Sequence, residues 1–166
     1  MSEISFTSIG TIYTPHKTRE NMPIQPLSAR GVKARVELNP ELLDGLRDLE
    51  SFSHVILIYH LHKSEGYELD VKPFMDDKTH GLFATRAPRR PNAIGMSTVK
   101  LISIEGNVLH VEDVDILDGT PLLDIKPFFS KFDNRPDAVS GWLDEKWKEK
   151  NREIKSDKRF INLSSI

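Results

Sequence analysis

Three guanidinium groups fall within five residues at Arg86, Arg89 and Arg90, inside the stretch that runs from Gly81 to Gly95. Pro88 and Pro91 fix their own φ angles, remove two backbone donors and push Ala87 and Arg90 toward extended backbone. A loop stiffened this way can present guanidinium forks to carboxylates or phosphates with little ordering cost. The plainer reading is a solvated basic turn. The apolar neighbours Leu82-Phe83-Ala84 and Ala93-Ile94 favour a loop that leaves and re-enters a core. His60 and His62 stand two apart at the end of an apolar run, a spacing that points both imidazoles to one strand face. No third ligand follows at metal-site spacing, so a hydrogen-bonded pair near a pocket is the preferred reading and no metal is expected. Glu112, Asp113, Asp115 and Asp118 form an acidic segment that ends in Asp118-Gly119-Thr120-Pro121. Either it is a solvated face or its Gly turn aims a carboxylate and backbone amides at a ligand; local chemistry does not choose. From Lys146 to Arg159 seven basic residues face three acids, with Trp147 among them, which suits either an exposed helix end or an RNA-facing patch.

The rest of the chain bounds these options. Its 166 residues suggest one domain with a sizeable core, and a net charge of −2 leaves any nucleic-acid contact to local basic patches. There are no cysteines, which excludes disulfide and thiolate chemistry and fits a cytoplasmic protein. The longest apolar run, Val55 to Tyr59, is far short of a membrane span, and the first residues do not read as a signal peptide. No P-loop, HExxH or Ser-His-Asp pattern is legible.

The elements that must position these groups are mostly strands. Ser8 to Tyr13 reads as a first strand, followed by a polar loop over 16–30 that holds Pro23-Ile24-Gln25-Pro26. Val32, Ala34, Val36 and Leu38 alternate with charged residues, the pattern of a half-buried strand. Asn39-Pro40-Glu41 then predicts a capped helix to about Glu50. His54 to His60 predicts a strand buried on both faces. Phe83 to Arg86 predicts the strand feeding the arginine loop. Strands are also expected at Ser97–Ile104, Val108–Val111, Val114–Leu117 and Leu122–Ile125, with a hairpin turn at Glu105-Gly106-Asn107. A final helix from Pro136 to about Lys150 carries Ala138, Val139, Trp142, Leu143 and Trp147 on one face. This is no βαβ alternation, so the expected fold is mainly β. It is a small antiparallel β-barrel or curled sheet with a short helix after the second strand and a C-terminal helix. The division is a barrel over 1–130 and a helix with a basic tail over 131–166.

Two blocks carry a family resemblance. Gly81-Leu82-Phe83-Ala84-Thr85-Arg86 with Arg90-Pro91-Asn92-Ala93-Ile94-Gly95-Met96-Ser97 is the first, and Asp118-Gly119-Thr120-Pro121-Leu122-Leu123-Asp124-Ile125-Lys126-Pro127 the second. Leu49 to His54 and Ile9 to Pro15 add to them. Together they resemble the TrmO family of S-adenosylmethionine-dependent tRNA methyltransferases over about residues 6 to 128. The resemblance implies a β-barrel that pairs as a homodimer with cofactor pockets near the interface. It also implies methylation of N6 in threonylcarbamoyladenosine, the base 3′ of the tRNA anticodon. Carried over by motif, S-adenosylmethionine would meet Gln25, Pro26, His62, Lys63, Arg86, Leu101 and Asp118-Gly119-Thr120-Pro121. The tRNA would meet Arg89, Arg90, Asn92, Lys146 and Lys150. The sequence departs from bacterial relatives by carrying a helix and basic tail in place of their added C-terminal domain.

Within that resemblance Arg86 would grip an acid group, and Asp118 is the first expected base, ahead of His62, with a turn-holding role as the alternative for Asp118. Two other functions remain open: a non-catalytic RNA- or nucleotide-binding barrel, and a methyltransferase for another substrate.

Overall fold

A computed structural model describes residues 2–18, 20, 22–23 and 29–149. Its centre is a closed antiparallel barrel of six strands. In chain order these are β1 (Gly10–Tyr13), β2 (Lys33–Leu38), β3 (His54–His60), β6 (Ile94–Glu105), β7 (Val108–Glu112) and β8 (Thr120–Pro127). Around the barrel the order is β1-β2-β7-β6-β3-β8, and β8 closes back on β1 through Gly10↔Leu122 and its neighbours. β4 (Asp70–Val71) and β5 (His80–Gly81) form a separate two-stranded sheet. Two helices follow, α1 (Ser130–Asp133) and α2 (Trp142–Glu149).

The barrel is the expected fold, and alternation explains it. Val36 and Leu38 of β2 turn inward while Lys33, Arg35 and Glu37 face out. Ile12, Val55, Leu57, Val99, Leu109, Val111 and Leu122 meet inside, each almost wholly removed from water. Each such side chain contributes about 1.5–3 kcal/mol through burial. Closure leaves no sheet edge in the barrel to be capped. The β6–β7 hairpin turns at Gly106, whose φ of 59° requires the left-handed region. Beside it, the Asn107 side chain donates to the Leu38 carbonyl at 2.6 Å, which ties the end of β2 to the turn.

Several local expectations are corrected. The helix expected after β2 is two 3₁₀ turns, Pro40–Leu46 and Leu49–Ser51, separated by Asp48 at φ 69°. Asn39 makes no side-chain cap; its amide donates to the Ser8 carbonyl instead. Only Leu46 of that segment is buried, and Leu43 is 44% exposed, so little packing favours a longer helix. The apolar β3 run buries Val55, Leu57 and Tyr59 but leaves Ile56 and Ile58 half-buried on the outside. A barrel wall has one inner face, so the run is not a strand covered on both sides. Leu82–Ala84 is a 3₁₀ turn and not a strand; the Thr85 hydroxyl donates back to the Leu82 carbonyl at 2.8 Å and closes it. Residues 114–117 join no ladder, because Asp113 at φ 66° swings the chain out of β7, yet Val114 and Ile116 plug the barrel end. α2 begins at Trp142, after a left-handed Gly141, while Val139 is 86% exposed.

Candidate active site

One end of the barrel opens into a cleft of about 890 Å³. Its inner wall is barrel: Tyr59 of β3, Gly95 of β6, Thr120 of β8 and the segment Asp115–Leu117. Its outer wall comes from Pro73–Met75, the stretch Phe83–Pro88, and Trp142, Leu143 and Trp147 of α2.

The inner wall is built around a close approach. Tyr59 pairs with Gly95 in the β3–β6 ladder, and its ring lies where a Gly95 side chain would be. A Cβ there would sit 2.2 Å from the ring. The phenol is thereby aimed at Ser97 two residues on, with Tyr59 Oη 3.0 Å from Ser97 Oγ. Ser97 Oγ in turn donates to Asp115 Oδ1 at 2.6 Å. Since the serine proton goes to the carboxylate, the tyrosine O–H is the donor to Ser97. Burial pushes the Asp115 carboxyl up to about 6, against the Ser97 hydrogen bond, its own backbone N–H and the nearby Arg86 charge, which hold it down. Burial and the Asp115 charge raise the Tyr59 phenol well above its usual range, so it stays protonated.

Arg86 is exposed and lines the same space, following the 3₁₀ turn. Arg90 also lines it, but its Nη1 turns back to the Thr85 and Ala87 carbonyls at 3.0 and 3.3 Å, and so braces the loop. His62 Nδ1 lies 3.3 Å from Thr120 Oγ1. The Thr120 hydroxyl proton goes to the Leu117 carbonyl at 2.6 Å, so the histidine Nδ1–H is the donor. His60 and His62 do not share a strand face: β3 ends at His60, and the His62 N–H folds back to the His60 carbonyl.

The outer wall is latched by polar contacts. Trp142 Nε1 donates to the Ala84 carbonyl at 3.0 Å, and its ring stacks on His80 with centroids 4.1 Å apart. His80 Nε2 is 3.1 Å from Asp76 Oδ2, and Lys146 Nζ is 3.6 Å from Asp76 Oδ1.

Of the residues singled out in the sequence, the cleft therefore gathers His62, Lys63, Arg86, Arg90 and Thr120. Asp118 faces elsewhere. Its Oδ2 takes Lys17 Nζ at 2.6 Å and its Oδ1 takes the Thr14 N–H at 2.9 Å, which hold its carboxyl below the usual range. It lines a separate shallow cleft with Tyr13, Lys17 and Arg35. Leu101 is buried in the barrel core. Gly119 and Pro121 flank Thr120 without lining the large cleft, and neither do Arg89 and the exposed Asn92. Lys146 belongs to the latch. Gln25, Pro26 and Lys150 lie outside the described residues. Sequence reasoning named Asp115 only as one of the acidic segment, and gave Ser97, Tyr59 and Trp142 no role in a site. The available signal was Asp115 itself, a charge set between two apolar residues, Val114 and Ile116.

Comparison with known proteins adds a family to this geometry. The tRNA-methyltransferase O N-terminal domain family matches residues 11–134. A probable S-adenosyl-L-methionine-binding protein of Pyrococcus abyssi is 48% identical over 161 residues, covering 97% of this chain and 87% of the relative. The human tRNA (adenine(37)-N6)-methyltransferase is 38% identical over 116 residues, which is 68% of this chain and 26% of the human one. The crystal structure of TrmO from Pseudomonas aeruginosa superposes with a TM-score of 0.72 at 36% identity, over 85% of this chain and 63% of that one.

Proposed function

The chain belongs to the TrmO family, and on that premise we propose that it is an S-adenosylmethionine-dependent tRNA methyltransferase acting on N6 of threonylcarbamoyladenosine 3′ of the anticodon. One observation carries the reading: residues of both family blocks, Thr85-Arg86 and Gly95 from the first and Thr120 from the second, face a single cleft. Its volume lies in the range of small-ligand sites. The lining suits the methyl donor: an Arg for a carboxylate and aromatic side chains for an adenine. His62, Lys63, Arg86 and Thr120 are the residues we assign to it. S-adenosylmethionine supplies an electrophilic methyl group; the protein's task is to align an acceptor nitrogen with it and exclude water.

We assign tRNA contact to the exposed Asn92 and to the basic residues of the arginine loop and tail. We also propose a homodimer in the cytoplasm. Ile94 and Met96, 41% and 57% exposed at the cleft mouth, give an apolar patch for a second copy. Among the described residues no helix is long and apolar enough to cross a membrane.

Two measurements test the reading. Calorimetry with S-adenosylmethionine should give saturable binding, and its absence would leave a non-catalytic RNA- or nucleotide-binding barrel. Methyl transfer to tRNA with and without the threonylcarbamoyl group should favour the modified form. Equal transfer to both, or to neither, would point to another substrate. Arg86→Ala should cost about 1.5–3 kcal/mol in donor binding or transition-state energy. Sedimentation at micromolar concentration should give twice the chain mass.

A further inference from the structure

The relay Tyr59–Ser97–Asp115 brings three polar side chains from three separate segments to the barrel end of the cleft. Tyr59 comes from β3, Ser97 from β6, and Asp115 from the segment that plugs the barrel. Tyr59 and Ser97 are 7% and 2% exposed. A relay of this kind, costly to bury, ends on a carboxylate that lines the cleft. We propose that Asp115 is the proton acceptor of the transfer reaction, with Ser97 and Tyr59 as the residues that hold it in position.

This rests on the methyltransferase reading, and the chemistry asks for such a group. The acceptor N6 of a carbamoylated adenine is amide-like and a poor nucleophile while it keeps its hydrogen. As its lone pair forms the new N–C bond, the methyl–sulfur bond breaks and its electron pair stays on sulfur. The N6 hydrogen leaves as a proton to Asp115. One positive charge on the donor and one negative charge on the carboxylate are both discharged, so the step balances in atoms and charge. A carboxyl titrating near 6 is ionised at neutral pH and still basic enough to accept a proton. Asp118 lacks these properties: it lies outside the cleft, tied down by Lys17 and the Thr14 N–H.

The ionisable groups around Asp115 are Tyr59 from β3 and Arg86 from the arginine loop. His62, Lys63 and Arg90 share the cleft, as does Asp144 of α2. Ser97 is the handle that separates a proton role from a structural one. Its hydrogen bond lowers the Asp115 pKa, so removing it should raise that pKa without touching the acceptor carboxylate.

The experiment has a direct arm and a kinetic arm. Carbon-13 NMR of labelled aspartate in the intact protein should show one carboxyl titrating near pH 6, shifted further up in Ser97→Ala and absent in Asp115→Asn. An Asp115 that titrates in the ordinary carboxylate range overturns the proposal. In the kinetic arm, turnover with saturating S-adenosylmethionine should rise with pH through the Asp115 pKa and then level off. Asp115→Asn should bind the methyl donor normally by calorimetry, yet turn over roughly 10²–10⁴-fold more slowly, with that acidic limb gone. Ser97→Ala should move the limb to higher pH. Circular dichroism and thermal melts show that each variant is folded. An Asp115→Asn that keeps turnover and limb, or a limb that disappears only in His62→Gln, overturns the assignment of Asp115 alone. A wild type that binds no S-adenosylmethionine and methylates no tRNA overturns the methyltransferase reading, and the proton role with it.

Discussion

The two walls of the cleft are made differently. On the inner side Tyr59, Gly95 and Ser97 are all paired in the β3–β6 ladder, and Tyr59 also pairs with Leu122 of β8. Moving any of them means breaking barrel hydrogen bonds. The outer side is a two-residue sheet pair, a 3₁₀ turn and an eight-residue helix. It rests on a core of only three buried side chains, Val71, Leu82 and Ala87, and on the polar latch through Asp76, His80, Trp142 and Lys146. A short helix is marginal without its docking contacts. On the proposed reading, proton chemistry sits on the part of the molecule that holds its geometry, and access on the part that is expected to open at a low free-energy cost.

The strongest way to break this contrast is Gly95→Ala. A methyl group forced onto the Tyr59 ring, between paired strands, should cost about 3 kcal/mol of global stability and misplace the Ser97 relay. Urea denaturation measures it; a midpoint equal to wild type would mean that the inner wall yields after all.

Trp142→Ala addresses the other wall. It removes the His80 stack and the bond to the Ala84 carbonyl, together about 1–3 kcal/mol. The loss should be local. Amide hydrogen exchange in residues 80–84 and α2 should accelerate, while the barrel amides keep their protection. Faster exchange throughout the barrel would show one cooperative unit instead of two.

Protons sharpen the comparison, because the two walls respond to pH with opposite sign. The Asp76 carboxyl is lowered to about 2 from its ordinary 3.8. Burial works against its charge, and His80, the Lys78 and Asp77 backbone N–H groups and Lys146 outweigh burial. Its stabilising effect is full above about pH 4 and is lost as pH falls through 2. The Asp115 carboxyl is raised to about 6 from 3.8, so its ionised form opposes folding. That opposition is full above pH 6 and fades as pH falls toward 4. Between pH 6 and 4 the inner wall should therefore gain stability while the latch stays intact, and Asp115→Asn should flatten that rise. Global stability by denaturation and latch opening by hydrogen exchange, each followed against pH, check the two signs.

The smallest effect belongs to Lys146→Gln. Asp76 keeps His80 and two backbone N–H groups, so loss of the 3.6 Å ion pair should cost no more than about 0.5–1 kcal/mol of latch stability. A larger loss would make this lysine the main fastening of α2.

Much of the inner wall's frame was legible in the chain. Period-two alternation in β2 and the Gly106 turn give strands and a hairpin from local sterics and burial, while closure into a barrel rests on pairings between distant strands. The family resemblance named Arg86, His62 and Thr120 for one ligand, and the three line one cleft. The outer wall was less legible because its elements are short and take their form from docking. The segment 82–84 curls into a turn where its apolar residues had suggested a strand, and α2 starts six residues later than its composition suggested.

The acidic run divides what the sequence by itself determined from what the tertiary structure decided. Asp115 and Asp118 are the same residue type three positions apart, and the motif drew attention to Asp118. The sequence determined that carboxylates would stand beside the Gly119 turn. It could not say which would face the cleft, because that depends on groups more than a dozen residues away. Lys17 and the Thr14 N–H reach Asp118 after β1 pairs with β8, and Ser97 and Tyr59 reach Asp115 after β3 pairs with β6. Local sterics fix a strand or a turn, but a carboxylate's partners, and so its basicity, exist only once the barrel has closed.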